Sequence, residues 1–200
     1  EDLFEAWPGP GPIAIHAESK TIALVLQAAQ HHCPAIHICH VPDPDDLIAI
    51  DRARQAGVPV TCEVTPHHLF LDHTALQRLG SLGLIKPPLL PPDKVRLFWD
   101  RLALVDIVAT DHAPHTLAEK ESSCPPPGVP GLETMLPLLL WAVDRGRMTW
   151  ERMVQLVCRR PLEIYGLVAP DDTTVTVELG QPYCLPMRGY HTRCDWSPFG

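Results

Sequence analysis

Short apolar, strand-like runs alternate along this chain with longer stretches whose apolar residues recur at helical spacing, the pattern of βα units and a parallel sheet. Four such units are predicted, with strands over residues 12–16, 35–41, 59–64 and 105–111. Asp43-Pro44-Asp45-Asp46 supplies an acceptor at a helix N-cap, proline at the first helical position and acids in the first turn, and Gly57 closes that helix. Ser19 is placed to cap a helix running to about residue 31. Pro92-Asp93 opens another that turns Val95, Phe98, Trp99 and Leu102 inward.

Beyond the fourth strand, residues 122–131 form a loop stiffened by proline and glycine, Cys124-Pro125-Pro126-Pro127-Gly128-Val129-Pro130-Gly131. Residues 132–143 and 149–158 then read as helices, 161–166 as a short one, and 173–179 alternates like a strand. Four βα units are half of an eightfold barrel, which needs about 250 residues. The predicted class is therefore α/β: the second half of a (β/α)8 barrel over residues 1–168, then a small β-rich extension over 169–200. An open flavodoxin-like sheet is the competing architecture, but the glycine-rich phosphate loop expected at its first turn is absent.

Composition narrows the function. With 46% hydrophobic residues the chain can bury a core, and no apolar run reaches the roughly 18 residues of a membrane span. The first residues lack the regions of a signal peptide, which predicts a cytoplasmic protein without membrane contact. A net charge of −8 without a dense Lys/Arg cluster removes the attraction a nucleic-acid binder uses and favours a small-molecule substrate. The seven cysteines lack CxxC spacing, so most are expected to be buried reduced thiols, and only Cys39 has neighbours that suggest chemistry.

Each predicted strand delivers a polar or metal-binding residue at its C-terminal end: His16, then Cys39-His40, then Glu63, then Asp111 with His115 just after it. In a parallel barrel those ends share the face on which active sites are built. Imidazole and carboxylate suit a Zn²⁺ that keeps a position open for water, and a carboxylate such as Asp111 could also carry a proton from that water to a leaving nitrogen. Taken singly, a histidine ending a strand is more often a hydrogen-bonded core or loop residue. Cys39 alone would be a small hydrophobe and Glu63 a solvated or ion-paired acid. His31, His32, His37, His73 and His191 lack such context and read as surface or packing residues, while His67 and His68 read as capping a helix or packing behind the site.

The segments His16-Ala17-Glu18, His37-Ile38-Cys39-His40-Val41, Cys62-Glu63-Val64-Thr65-Pro66-His67-His68-Leu69, Asp111-His112-Ala113-Pro114-His115-Thr116 and Pro127-Gly128-Val129-Pro130-Gly131-Leu132-Glu133-Thr134 resemble, in order and spacing, the dihydroorotase family of amidohydrolases, above all the dihydroorotase domain of the multifunctional animal pyrimidine-synthesis polypeptide. The likeness runs through the closing Trp196-Ser197-Pro198-Phe199. It implies reversible, zinc-dependent cyclisation of N-carbamoyl-L-aspartate to dihydroorotate in pyrimidine biosynthesis. By that likeness His16 and His40 bind one of two zinc ions, Asp111 binds the other and is the catalytic acid/base, and Cys39 and Glu63 are associated with a third. Lys86, His115, Pro127 and Gly128 would hold the substrate.

The resemblance also implies partners: a preceding half-barrel, fused carbamoyl-phosphate synthetase and aspartate transcarbamoylase domains, and a homo-oligomeric parent. The family's His-x-His pair and carboxylated lysine belong to that preceding half and have no substitute in these 200 residues, so the isolated chain is expected to be inactive. Lys86 stands where the family generally carries Asn or Arg, offering charge without a planar fork. Two other readings stay open: a related cyclic-amide hydrolase such as an allantoinase or dihydropyrimidinase, and a catalytically silent dihydroorotase-like scaffold.

Overall fold

Four short parallel strands build one sheet in the order β1-β2-β3-β4: β1 is Ile13–His16, β2 Ile36–Cys39, β3 Val60–Val64 and β4 Ile107–Val108. Their pairing is in step, with His16 opposite Cys39, His37 opposite Thr61 and Glu63 opposite Ile107. The computed structural model describes residues 4, 6, 7, 9, 11–30, 34–170, 172–180 and 183–200. Its α/β architecture is the parallel half-barrel expected from the sequence.

Helices cover one face of the sheet. After β1 comes α1, Ser19–Ala29, and after β2 comes α2, Pro44–Gln55. The α2 helix starts where its sequence dictates: Asp43 accepts from the Asp45 amide at 2.8 Å, Pro44 opens the first turn, and Gly57 adopts a φ of +92° just beyond the end. Lys94 and Arg101 bond the acids of its first turn. After β3, Thr65 accepts from the His68 amide to start α3, Pro66–Phe70, followed by α4, Ala75–Leu79, and α5, Pro92–Asp100. After β4 lie α6, Leu117–Lys120, and α7, Met135–Asp144. Finally α8, Trp150–Val154, passes through a π turn over Gln155–Arg159 into α9, Arg160–Tyr165.

The core lies between sheet and helices. Ile36, Ile38, Leu47, Ile50, Cys62, Val64, Phe98, Leu139 and Leu156 are fully enclosed there, and each large aliphatic contributes about 1.5–3 kcal/mol by leaving water. At the N-terminal end of β4, Asp106 accepts from Arg54 at 2.8 Å, from Arg160 at 2.9 Å and from the Cys62 amide at 2.9 Å, joining α2, β3 and α9 to the strand. A second small cluster places Val129, Cys194 and Trp196 beside Leu82, Ile85 and Leu117.

Several expectations need correction. Glu18, not Ser19, occupies the N-cap of α1; Ser19 is its first residue and donates to Asp46 at 3.0 Å. The helix ends at Ala29, and residues 31 to 33, hence His31, His32 and Cys33, lie outside the described residues. The two helices expected over 149–166 are one run, because the wide π turn lets the chain pass Pro161, which lacks the amide an α turn needs. Residues 173–179 form no strand. No strand is found there among the described residues, and Val175 and Leu179 are exposed, so the described part of 169–200 is irregular rather than β-rich. Of the described cysteines, all free thiols, only Cys62 and Cys194 are buried; Cys124, Cys158 and Cys184 lie exposed on a loop, a helix and the tail. No helix among the described residues is long and apolar enough to cross a membrane.

Candidate active site

Strand alternation and register sort the side chains at the site. On the face away from the apolar Ile36, Ile38, Val60 and Cys62 lie His16, His37, Cys39, Thr61 and Glu63. The first of these meets a residue from the next strand end: His16 Nδ1 and His40 Nε2 are 2.6 Å apart, with the rings edge to face at a centroid separation of 4.4 Å. One nitrogen donates and the other accepts. His40 has a φ of +32° and Asp111 a φ of +44°, left-handed values uncommon outside glycine. Such strain of order 1–3 kcal/mol persists where surrounding structure imposes it, often at functional positions. Both residues follow strands at which the sequence predicted chemistry, His40 directly after β2 and Asp111 three residues after β4.

Glu63 is buried and fully engaged. Its Oε2 meets His37 Nε2 at 3.0 Å, its Oε1 accepts from the His40 amide at 3.2 Å, and His37 Nδ1 lies 2.8 Å from Thr61 Oγ1. The carboxylate thus locks the backbone at His40, consistent with the ion-paired reading of Glu63. His37, read from sequence as a packing or surface residue, is completely buried and forms half of this pair. Its signal was alternation: His37 and Cys39 on one strand face Thr61 and Glu63 on the next. Burial, then the Glu63 charge, pushes the Cys39 thiol up to about 11, with a smaller push from Asp111.

Behind His40, α3 contributes two buried imidazoles. His68 contacts Thr65 Oγ1 at 2.9 Å and the Pro87 carbonyl at 3.2 Å, and burial lowers its pKa to about 4. His67 is held well below its ordinary value by burial and by His68 and His40. Among the described residues two buried side-chain nitrogens have no hydrogen-bond partner, His40 Nδ1 and His67 Nε2.

The remaining expected site residues lie beyond the strands, Asp111 just past β4 and the others on loops. Lys86 is exposed, and Asp111 is half-buried without a hydrogen bond or ion pair among the described residues. His112 Nδ1 accepts from the Gly131 amide at 3.1 Å, drawing the 126–131 loop over the 111–115 segment. Gly128 adopts a φ of +132°; a Cβ there would sit 2.7 Å from Ala113 Cβ and 2.8 Å from the Ala113 carbonyl. Only glycine lets the loop approach that closely. The carbonyl of His115 accepts from Trp196 at 2.8 Å. A residue the sequence did not suggest lies beneath this layer. Lys120 is fully buried, and its ammonium donates to the carbonyls of Leu84, Pro126 and Gly128, each at 3.0 Å. It sits in the charged run Ala118-Glu119-Lys120-Glu121-Ser122, which reads as a solvated surface.

The donor set fits part of a zinc site. His16 and His40 are imidazole donors already in contact, and the unpartnered Nδ1 of His40 is a further buried nitrogen. Glu63 fits a metal less well, since both of its oxygens already hold hydrogen bonds. Among the described residues no three His, Cys, Asp or Glu side chains converge as a metal-binding group, so Asp111 does not join His16 and His40 in one cluster.

No protein-family model matches the chain. It is 45% identical over 197 residues to the multifunctional protein CAD of Squalus acanthias, covering 98% of this chain and 9% of that protein. It is 37% identical over 209 residues to a dihydroorotase of Halobacterium salinarum, covering 99% of this chain and 47% of that enzyme. Among solved structures, the inactive dihydroorotase-like domain of the CAD-like multifunctional protein of Chaetomium thermophilum superposes with a TM-score of 0.79 at 30% identity, over 98% of this chain and 54% of that one. The similarity to dihydroorotases thus extends over nearly the whole chain, which spans about half the length of the dihydroorotase relative.

Proposed function

We propose that this chain forms the second half of a dihydroorotase barrel, in the polypeptide that makes (S)-dihydroorotate from N-carbamoyl-L-aspartate during pyrimidine biosynthesis in the cytoplasm. The observation that supports it most is the contact of His16 with His40 at adjacent strand ends, on the sheet edge where Asp111 also emerges. In this reading His16 and His40 hold one zinc and Asp111 a second, and Glu63, with both oxygens hydrogen-bonded, takes no third. Bound zinc supplies an activated water and a polarised carbonyl. The remaining ligands come from a preceding half-barrel, which is the chain's first partner; fused carbamoyl-phosphate synthetase and aspartate transcarbamoylase domains and a homo-oligomer complete the parent.

The chain's own residues then do three things. Asp111 accepts the proton of the attacking water and returns it to the ring nitrogen as the amide C–N bond breaks, so that hydroxyl ends on the carbonyl carbon and the proton on nitrogen. In cyclisation the same carboxyl works in reverse. Lys86 and His115 meet the substrate's carboxylate, and the backbone around Pro127 and Gly128 lines its other side. Glu63, through the His40 amide, keeps His40 turned toward His16.

The test is complementation. Co-expressed with the preceding half of a dihydroorotase barrel and loaded with zinc, the chain should hydrolyse dihydroorotate and leave allantoin and dihydrouracil nearly untouched. Preference for either of the latter moves the assignment to a related cyclic-amide hydrolase. A second reading, a silent scaffold, is favoured by the likeness to a domain described as inactive. Its signature is a soluble, zinc-poor complex with no turnover of any of the three substrates.

A further inference from the structure

Lys120 is a buried charge that the proposed chemistry does not use. Its side chain has no exposed surface, and no carboxylate among the described residues pairs with it. An ammonium enclosed in this way is costly unless all its donors are satisfied. Here three N–H donors meet three carbonyl oxygens at 3.0 Å each, and the Trp196 ring lies 5.8 Å from the nitrogen. Burial still lowers its pKa to about 8. A purely structural position would be filled more cheaply by an apolar residue.

The identity of the three acceptors gives the position meaning. The Leu84 carbonyl lies two residues before Lys86, and the Pro126 and Gly128 carbonyls flank Pro127. The Gly128 amide in turn donates to the Leu84 carbonyl at 2.9 Å, so the two loops are joined to each other at the atom that Lys120 also grips. Trp196, against the same ammonium, holds the His115 carbonyl. All four residues expected to meet substrate thus hang on one cation and its aromatic neighbour. We propose that Lys120 is a positioning residue, an ammonium clasp that fixes the Lys86 and Pro127-Gly128 loops in the spacing that receives an anionic, carboxylate-bearing substrate. This rests on the dihydroorotase reading for the identity of the substrate, though not for the existence of the clasp.

Two measurements test it. In the complemented, zinc-loaded enzyme, Lys120→Met should raise KM for dihydroorotate about tenfold or more while kcat changes by less than about threefold, because loop placement and not proton transfer is disturbed. Lys120→Arg, which keeps the charge and several donors, should recover part of the loss. In the full chain alone, hydrogen exchange at the Gly128 amide should accelerate about tenfold or more in Lys120→Met, with the exchange of β2 unchanged. If the Met variant does not fold, Lys120→Gln carries the same two measurements with smaller expected changes. An unchanged KM together with an unchanged Gly128 exchange overturns the clasp, as does an equal acceleration throughout the sheet. Absence of turnover in the unmodified complex sinks the dihydroorotase reading instead, and the exchange result then decides Lys120 by itself.

Discussion

The two sides of the site are built on different principles. On the strand side, His16 is exposed, His40 and Asp111 hold strained backbone angles, and two buried imidazole nitrogens lack partners. On the loop side the polar groups named above are matched: buried Lys120 with three carbonyls, half-buried His112 with the Gly131 amide, buried Trp196 with the His115 carbonyl. Strain and unmatched polar atoms are what the proposed reading expects of strand ends that meet ligands supplied from outside the chain. Complete internal pairing marks the side that shapes a pocket.

The sharpest way to break this contrast is at Asp111. In the complemented enzyme Asp111→Asn should cut kcat by about 10²–10⁴-fold with the fold intact by circular dichroism. Near-normal turnover would remove it as the proton carrier. Next in size is the response of the imidazoles behind His40 to acid. Unfolded, His68 takes a proton near its ordinary 6.5; folded, it resists until about 4. Stability from this group is therefore complete above pH 6.5 and lost as pH falls toward 4, by up to about 3 kcal/mol. Urea titrations across that window should show the decline, and His68→Asn should flatten it; equal slopes in the two proteins would mean the imidazole is not buried neutral.

On the loop side, Gly128→Ala drives a Cβ into Ala113 at a left-handed φ and should cost about 1–3 kcal/mol, with a raised KM. A neutral result in thermal unfolding would show that the loop does not pack on residue 113. The smallest effect is expected at Glu63→Gln, about 1 kcal/mol, from loss of a charge-assisted bond to His37. Zinc content measured by mass spectrometry should not change; loss of one metal equivalent would restore Glu63 as a ligand.

Much of the strand side was legible in the sequence. β1 to β3 are short apolar runs ending in His16, Cys39-His40 and Glu63, and Asp43-Pro44 named the start of α2. β4 was overestimated because residues 105–111 are apolar enough to read as one strand, yet the chain leaves the sheet after Val108 and bends at Asp111. The convergence of His16, His40 and Asp111 was half right, since only the histidines touch. The loop side was legible as a motif but not as a mechanism. Nothing about Lys120 between Glu119 and Glu121 distinguishes it from a solvated lysine, because its burial depends on carbonyls 36, 6 and 8 residues away. The tail failed for a related reason. Alternation over 173–179 does not by itself make a strand, since ladder pairing depends on residues distant in sequence.

Asp106 sits at the opposite pole of the strands from all of this. One carboxylate there holds Arg54, Arg160 and the Cys62 amide, so α2, β3, β4 and α9 are joined away from the strand ends that carry His16 and His40. A lineage bearing this joint can shed its chemistry at the far rim, residue by residue, and still inherit an intact body available for other uses. Descent with a retained shape and a lost reaction is a route that such a division of labour leaves open.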